Sequence, residues 1–429
     1  MTTIGKLPPE LLYQTIHLAV GLPSERRQTL ALLSVCRIWR AVILDMSELF
    51  VSPDWAAWPA DTIAQWTLRA GDRLLDGLIS HQGDMVSLHT RLELACTALL
   101  PFAARLQTLR VQIHRIMAPE AFQQLLRAGN MPQLESIVIG YVECDVEIDA
   151  SSMPRLHTLH AGGLRLRVRG NFPLLRQLGW RLSAPEDLDR LISLLEFQTL
   201  PFHLTIFGHH DMQLFWPFEF NAETRTCWAH LTSLRIQGFG ERDAEHFGTI
   251  ARQLWAPNLR QLEIIEVEPR IFGIIILKLP SETSSAVQTL LLGYTGDRPH
   301  DLSFYLTLLL GDDSYQADDL PPLPNLVNLV VRDLTDAPGS GWNVDFHSLE
   351  QCVRRRHGTL QRLILPSRYR PSSMMRRDNR RVSRARISIQ DTLLTDRDER
   401  LREEGGLKEI SYAFSIDHHG FDIEQPRYF

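Results

Sequence analysis

The sequence predicts an α/β protein in which three short helices precede a long, irregular stack of parallel strands. Three observations predict it. Apolar residues between Leu7 and Phe50 recur at the helical period, and a phrase of the form L-x-x-L-x-L returns ten times from Leu106 onward. With 44% hydrophobic content, the 429 residues can bury a sizeable core in two or three domain-sized units.

The first helix opens at Pro8-Pro9, where missing amide protons cost nothing, and places Leu11, Leu12, Ile16 and Ala19 on one side. Gly21-Leu22-Pro23-Ser24 ends it. A second helix starts after Ser24 and carries Leu30 and Leu33. Ser34 is then placed to cap a third, whose Val35, Ile38, Trp39 and Val42 stand at i, i+3, i+4 and i+7. A bundle of about forty residues lies near the lower limit for burying a core alone, so part of its apolar surface is expected to face a partner.

Residue types as well as spacing set this stretch apart. Leu7-Pro8-Pro9-Glu10-Leu11-Leu12, then Leu33-Ser34-Val35-Cys36-Arg37 with Trp39-Arg40, then Leu49-Phe50, resembles the F-box in the form common among fungal F-box proteins. Thr15-Ile16 stands where that family often has Ile-Phe, and Ser47-Glu48-Leu49-Phe50 where it often has Pro-x-Leu-Trp; both keep an apolar anchor. The resemblance implies that residues 1–52 form a helical F-box domain docking on the Skp adaptor, and through it on cullin, of a ubiquitin ligase. It implies an adaptor-binding set of Leu7, Pro8, Leu11, Leu12, Ile16, Leu30, Leu33, Val35, Cys36 and Trp39. Periodicity alone also fits a helical cap closing the end of a larger core.

Residues 53–105 read as a helical linker and a stiff joint. Asp61 is placed to cap a helix carrying Ile63, Trp66 and Ala70, and Leu88, Leu92, Ala95 and Leu99 recur at helical spacing before Pro101. Trp66-Thr67-Leu68-Arg69-Ala70-Gly71 is comparable to a Trp-x-Leu-Arg-x-Gly phrase of fungal F-box proteins.

Residues 106–429 carry the repeated phrase. It runs Leu106, Leu109, Val111; Leu134, Ile137, Ile139; Leu156, Leu159, Ala161; Leu175, Leu178, Trp180; and Leu231, Leu234, Ile236. It continues Leu259, Leu262, Ile264; Val287, Leu290, Leu292; Leu326, Leu329, Val331; Leu360, Leu363, Leu365; and Leu407, Ile410, Tyr412, with Phe202, Leu204 and Ile206 as a broken copy. Pro-x-Leu introduces five of them, at Pro132, Pro154, Pro173, Pro257 and Pro324. The final positions alternate as in a strand with one face buried, and copies recur every ~20 to 40 residues. So short a strand buries its face only when copies stack side by side. The result resembles an irregular leucine-rich-repeat solenoid, irregular because the Asn or Cys of regular repeats is absent: His114, Leu164, Val267, Thr295 and Arg368 stand at that place. A single phrase fits an ordinary strand of a mixed fold equally well. Gly311 to Pro324, acidic and proline-rich, and the polar stretch Pro366 to Glu404 read as insertions. The tail from Leu407 is expected to add a last strand.

The net charge of −6 argues against a chain wrapped wholesale on nucleic acid or an anionic membrane, and the longest apolar run, Ile271 to Leu279, is too short to span one. No signal peptide is expected from the opening residues. Cys36, Cys96, Cys144, Cys227 and Cys352 are scattered and odd in number, the usage of a reducing compartment, so a cytoplasmic or nuclear location is expected. Nearly all basic charge is Arg, with Lys only at Lys6, Lys278 and Lys408.

Catalytic motifs are missing: no phosphate-binding Gly-x-x-x-x-Gly-Lys, no Gly-x-Ser-x-Gly and no His-Glu-x-x-His occurs. No cofactor is expected, and the protein reads as no enzyme. His209-His210-Asp211 and Asp417-His418-His419 come nearest to metal ligands, but adjacent loop histidines are ordinarily solvated, so no metal site is assigned. The arginine-rich stretch 354–386 is followed directly by Asp391, Asp396, Asp398, Glu399, Glu403 and Glu404, which favours a loop neutralised by its own acids over a nucleic-acid arm.

Strand alternation directs Arg110, Gln112, His160, Arg181, Arg235, Gln237, Glu263, Arg332 and Arg362 to one face, the expected substrate surface, whose arginines would suit an acidic or phosphorylated segment. The function that the resemblance implies is that of the substrate-recognition subunit of a Skp/cullin/F-box ligase, with an unknown protein as substrate. The alternative is a repeat scaffold or nucleic-acid-associated protein that uses its helices as a cap.

Overall fold

The computed structural model describes residues 8–20, 31–53, 55–56, 58–80, 85–112, 116–117, 119–128, 130–140, 142–161, 164–182, 185–196, 198–208, 226–240, 248, 250–252, 254–294, 299–310, 321–333, 341–343, 346–356, 358–366 and 409–413. It is a mixed α/β structure with a large parallel sheet. The chain divides into two units, Met1–Arg181 with Phe197–Leu200, and Leu182–Glu196 with Pro201–Phe429.

The Pro-x-Leu phrases are turns that aim each strand. In all five, the Leu amide donates to the carbonyl of the residue before Pro: Leu134 to Met131 (3.0 Å), Leu156 to Met153 (3.1 Å), Leu175 to Phe172 (3.2 Å), Leu259 to Ala256 (3.1 Å) and Leu326 to Leu323 (3.1 Å). Proline is pre-set for the second position of such a turn, where its fixed φ fits and its missing N–H is not needed. The next residues then join the preceding strand, as when Glu135 N donates to Gln107 O (2.8 Å) and His157 N to Glu135 O (2.9 Å).

In the first unit, α1 (Pro9–Val20) packs on α2 (Arg37–Asp45), and α3 (Ala60–Arg69) follows. Then come β1 (Leu75–Ser80), α4 (Met85–Leu99), β2 (Leu106–Gln112), β3 (Ile116–Met117), α5 (Glu120–Ala128), β4 (Ser136–Ile139), β5 (Val142–Asp149), β6 (Thr158–Ala161), β7 (Leu164–Arg169) and β8 (Gln177–Arg181). Strands β1, β2, β4, β6 and β8 pair in that order, all parallel. Their register stacks equivalent phrase positions: Leu109 with Ile137, Leu159 and Leu178, then Val111 with Ile139, Ala161 and Trp180, every one buried. A separate small sheet has the order β3-β5-β7.

The second unit holds α6 (Pro185–Glu196), β9 (Phe202–Phe207), β10 (Thr226–Cys227), β11 (Leu231–Phe239), β12 (Leu254–Trp255), β13 (Gln261–Val267), α7 (Pro269–Lys278), α8 (Ser281–Ala286) and β14 (Thr289–Tyr294). It continues with β15 (Pro299–Asp301), α9 (Leu302–Leu310), β16 (Asn328–Asp333), β17 (Gly341–Asn343), α10 (Phe346–Arg355), β18 (Arg362–Pro366) and β19 (Glu409–Ala413). Its sheet has the order β9-β11-β13-β14-β16-β18-β19, again parallel, with Leu204, Leu234, Leu262, Leu290, Leu329, Leu363 and Ile410 in one row. The broken copy at Phe202 and the expected last strand near Ile410 both belong to this row.

Three expectations need correction. Residues 53–105 are not helical throughout: β1 lies within them and pairs with β2. Gly77, opposite Leu109, occupies the central phrase position, and a Cβ there would stand 3.1 Å from the Thr108 carbonyl oxygen, so the strand lost its leucine signature where backbones come close. Ser34 does not cap α2; its hydroxyl donates back to Ala31 O (2.6 Å), closing the preceding helical turn at 31–33, and the extended residue Cys36 occupies the N-cap. Asp61 lies in the first turn of α3, whose N-cap is Pro59. Residues 21–30, 311–320 and 367–408 lie outside the described residues, and with them most of the expected second helix and of both insertions.

Candidate docking surface

Helices α1 and α2 each turn one face inward. Leu12 and Ile16, at i and i+4, are buried on α1, as are Trp39 and Ile43 on α2. Apolar residues remain exposed beside them: Leu11 is 48% exposed and Leu18 84% on α1, Ile38 is 48% exposed in the first turn of α2, and Val35, in the turn before α2, is 52% exposed. Leu11 and Leu18 are seven apart, two turns along one helix face, and Val35 and Ile38 three apart.

The helices are fixed firmly to the sheet of their unit. Met46, Leu49, Phe50 and Trp55 are buried, and the Phe50 ring meets Trp66 edge-on with centroids 4.7 Å apart. The Tyr13 hydroxyl donates to Glu48, which raises the Tyr13 pKa because the phenol donor serves a carboxylate. Glu48 also pairs with Arg73 (3.3 Å), and Arg73 donates to Ser47 Oγ (2.5 Å). On β1, Asp76 gathers the joint: its amide donates to Val51 O (2.9 Å), its carbonyl accepts from Trp55 Nε1 (2.9 Å), and its carboxylate accepts from Ser52 (2.8 Å) and Thr108 (2.8 Å). These contacts join the helical start to β1, where a joint was expected from the sequence. Exposed apolar side chains on a rigid mount lose little entropy on binding, and each one fully covered contributes about 1.5–3 kcal/mol.

The expected adaptor set therefore divides. Pro8, Leu11, Val35 and Cys36 are exposed and Leu33 is half-buried. Leu12, Ile16 and Trp39 are buried and hold the helices together. Leu7 and Leu30 lie outside the described residues. Leu18 and Ile38 belong on the exposed side although the sequence reading did not place them in the set. The helical period alone gives two apolar stripes, and only packing decides which one is inside.

The expected substrate face holds a larger correction. Arg110 and His160 share one row with Val138 and Gly179, Arg235 neighbours Glu263, and Arg332 and Arg362 are exposed. His160, Arg181, Gln237 and Glu263, however, are buried. The side chain of Gln112 lies outside the described residues. Arg235 Nε donates to Glu263 Oε2 (2.6 Å), and Glu263 Oε1 accepts from Gln261 (2.6 Å), so the Arg235 charge is already matched. The equivalent residues on β14 and β16 are Leu291 and Val330, which form a second small core with Ile265 and Ile364. Uninterrupted apolar runs at Ile264-Ile265, Leu290-Leu291-Leu292 and Leu329-Val330-Val331 carry that signal, since a strand covered on both faces does not alternate.

Among the described residues no three His, Cys, Asp or Glu side chains converge as metal ligands, and no helix is long and apolar enough to cross a membrane. His209-His210-Asp211, Asp417-His418-His419 and Arg368 to Arg386 lie outside the described residues. Cys36 and Cys227 are exposed, Cys96 and Cys352 buried, and burial pushes both buried thiols up, away from reactive thiolate. No family model matches the sequence, and a search of curated proteins finds none similar to it.

Proposed function

We propose that this chain is the substrate-recognition subunit of a Skp/cullin/F-box ubiquitin ligase, with α1 and α2 holding the adaptor and the repeated strands holding a protein to be ubiquitylated. One observation carries the reading: Leu11 and Leu18 on α1, Ile38 on α2 and Val35 in the turn before α2 stay exposed, while Leu12, Ile16 and Trp39 pack these helices and the Glu48–Arg73 and Asp76 contacts join them to their unit. A cap closing its own core would bury those side chains. The F-box-like order of residues 7–50 and the strand phrases resembling leucine-rich repeats support it further.

In this reading the chain makes and breaks no bond. It accelerates transfer by raising the local concentration of substrate near a charged conjugating enzyme. The proposal is tested by purifying the full chain from a fungal extract and identifying its companions. Recovery of the Skp adaptor and cullin, lost on Leu11→Asp with Ile38→Asp, is expected; recovery of neither with the unaltered chain overturns it.

A further inference from the structure

We propose that β7 is a docking edge for an extended, acidic segment of a partner protein. Among the described residues β7 has a neighbour on one side only, because its sheet runs β3-β5-β7. In a parallel pair, alternate residues turn both backbone groups toward the neighbour, so half of the N–H and C=O groups of Leu164–Arg169 face away from β5. Such a row is a template for one more strand.

The text of the strand selects what can lie there. Leu164-Arg165-Leu166-Arg167-Val168-Arg169 carries arginine at period two, and the register sets Arg165, Arg167 and Arg169 opposite Asp145, Glu147 and Asp149 of β5. Val146 and Ile148 are buried on one face, while Asp149, Arg167 and Arg169 are exposed on the other. β5 is thus an example, within the chain, of the strand that β7 accepts: carboxylates alternating with apolar residues. A guanidinium has five N–H donors and a bidentate carboxylate engages two, so Arg167 and Arg169, both exposed, keep donors for a second carboxylate across the open edge.

The present pairing does not block this. Arg169 meets Glu147, but the arginine is 75% exposed, and exposed pairs are weak enough to share or exchange. A second copy of the same edge is a poor occupant, because it would set arginine against arginine, and like charges placed directly opposite destabilise a sheet. The surface goes beyond the ligase reading and exists whether or not α1 and α2 hold an adaptor.

The test titrates the full chain into a fluorescent peptide of alternating Val and Glu, and into the same peptide with Lys at every Glu position. Saturable binding of the Glu peptide only is expected, weakening as salt rises. Arg167→Glu with Arg169→Glu should weaken it about tenfold or more by replacing attraction with repulsion. If that variant does not fold, Arg167→Gln with Arg169→Gln is read in the same assay and should weaken binding in the same direction. Equal binding of both peptides, no binding by the unaltered chain, or undiminished binding by the variants overturns the proposal. So does the outcome in which Arg167→Val with Arg169→Val merely self-associates while the unaltered chain ignores the Glu peptide, since the arginines would then only guard the edge.

Discussion

His160 on β6 lies across Gly179 on β8, its imidazole filling the space that a side chain at position 179 would need. The ring is buried, so it cannot move aside into solvent without leaving the core. Gly179→Ala should cost about 1–3 kcal/mol by overpacking and lower the melting temperature accordingly. Pairing it with His160→Ala should recover part of that loss, because the smaller side chain vacates the contested volume. Thermal unfolding of the three variants checks this, and a Gly179→Ala chain as stable as the unaltered one would sink it.

Arg356 holds three carbonyls in the second unit. Its Nη1 donates to Leu323 O (2.8 Å), and its Nη2 to Leu309 O (2.8 Å) and Pro322 O (2.5 Å). Leu309 belongs to the last turn of α9, whose carbonyls lack helical partners and carry the negative end of the dipole. Leu323 sits at φ +51°, a conformation that a branched side chain adopts only when held. Arg356→Met leaves those carbonyls unmatched, at about 1–3 kcal/mol for a buried acceptor left without a donor, read as a lower urea midpoint. Arg356→Lys should fall in the same direction, because a point charge cannot reproduce the planar fork.

His203 on β9 makes stability depend on pH. Burial pushes its pKa below the ordinary 6.5, with Glu263 drawing it back up and Arg235 pressing it further down. The folded protein therefore holds the imidazole neutral where the unfolded chain would take a proton. Its contribution is complete above the unfolded value of 6.5 and is lost as pH falls from there through the folded value. Unfolding followed between about pH 7.5 and about pH 5 should show the unaltered protein losing more stability than His203→Gln. Parallel pH profiles for the two chains would remove the histidine from the account.

Much of this was legible in the text of the chain, and the illegible parts share a cause. Pro132, Pro154, Pro173, Pro257 and Pro324 marked the turns because a proline there has a local reason, and the alternating leucines after them marked the inward face. Gly77 hid β1 because close backbone approach replaced the leucine that identifies the other strands. The burial of Glu263, and the choice between Leu11 and Leu12 as the inward residue, depend on what lies over each face. Periodicity names a face but never its cover.

That distinction separates packing from docking in the helical start. Ile16 is fully buried, and Ile16→Ala should cost about 2–5 kcal/mol and weaken any partner binding only through unfolding. Leu11 and Val35 are about half exposed, so Leu11→Asp and Val35→Asp should change stability by no more than ~0.5 kcal/mol while abolishing adaptor capture, because an introduced carboxylate would have to be desolvated in an apolar interface. Circular dichroism melts run beside the pull-down distinguish the two cases. Early melting by Leu11→Asp would mean that this side chain supports the fold rather than a partner, and retained capture by both aspartate variants would place the adaptor contact elsewhere on the chain.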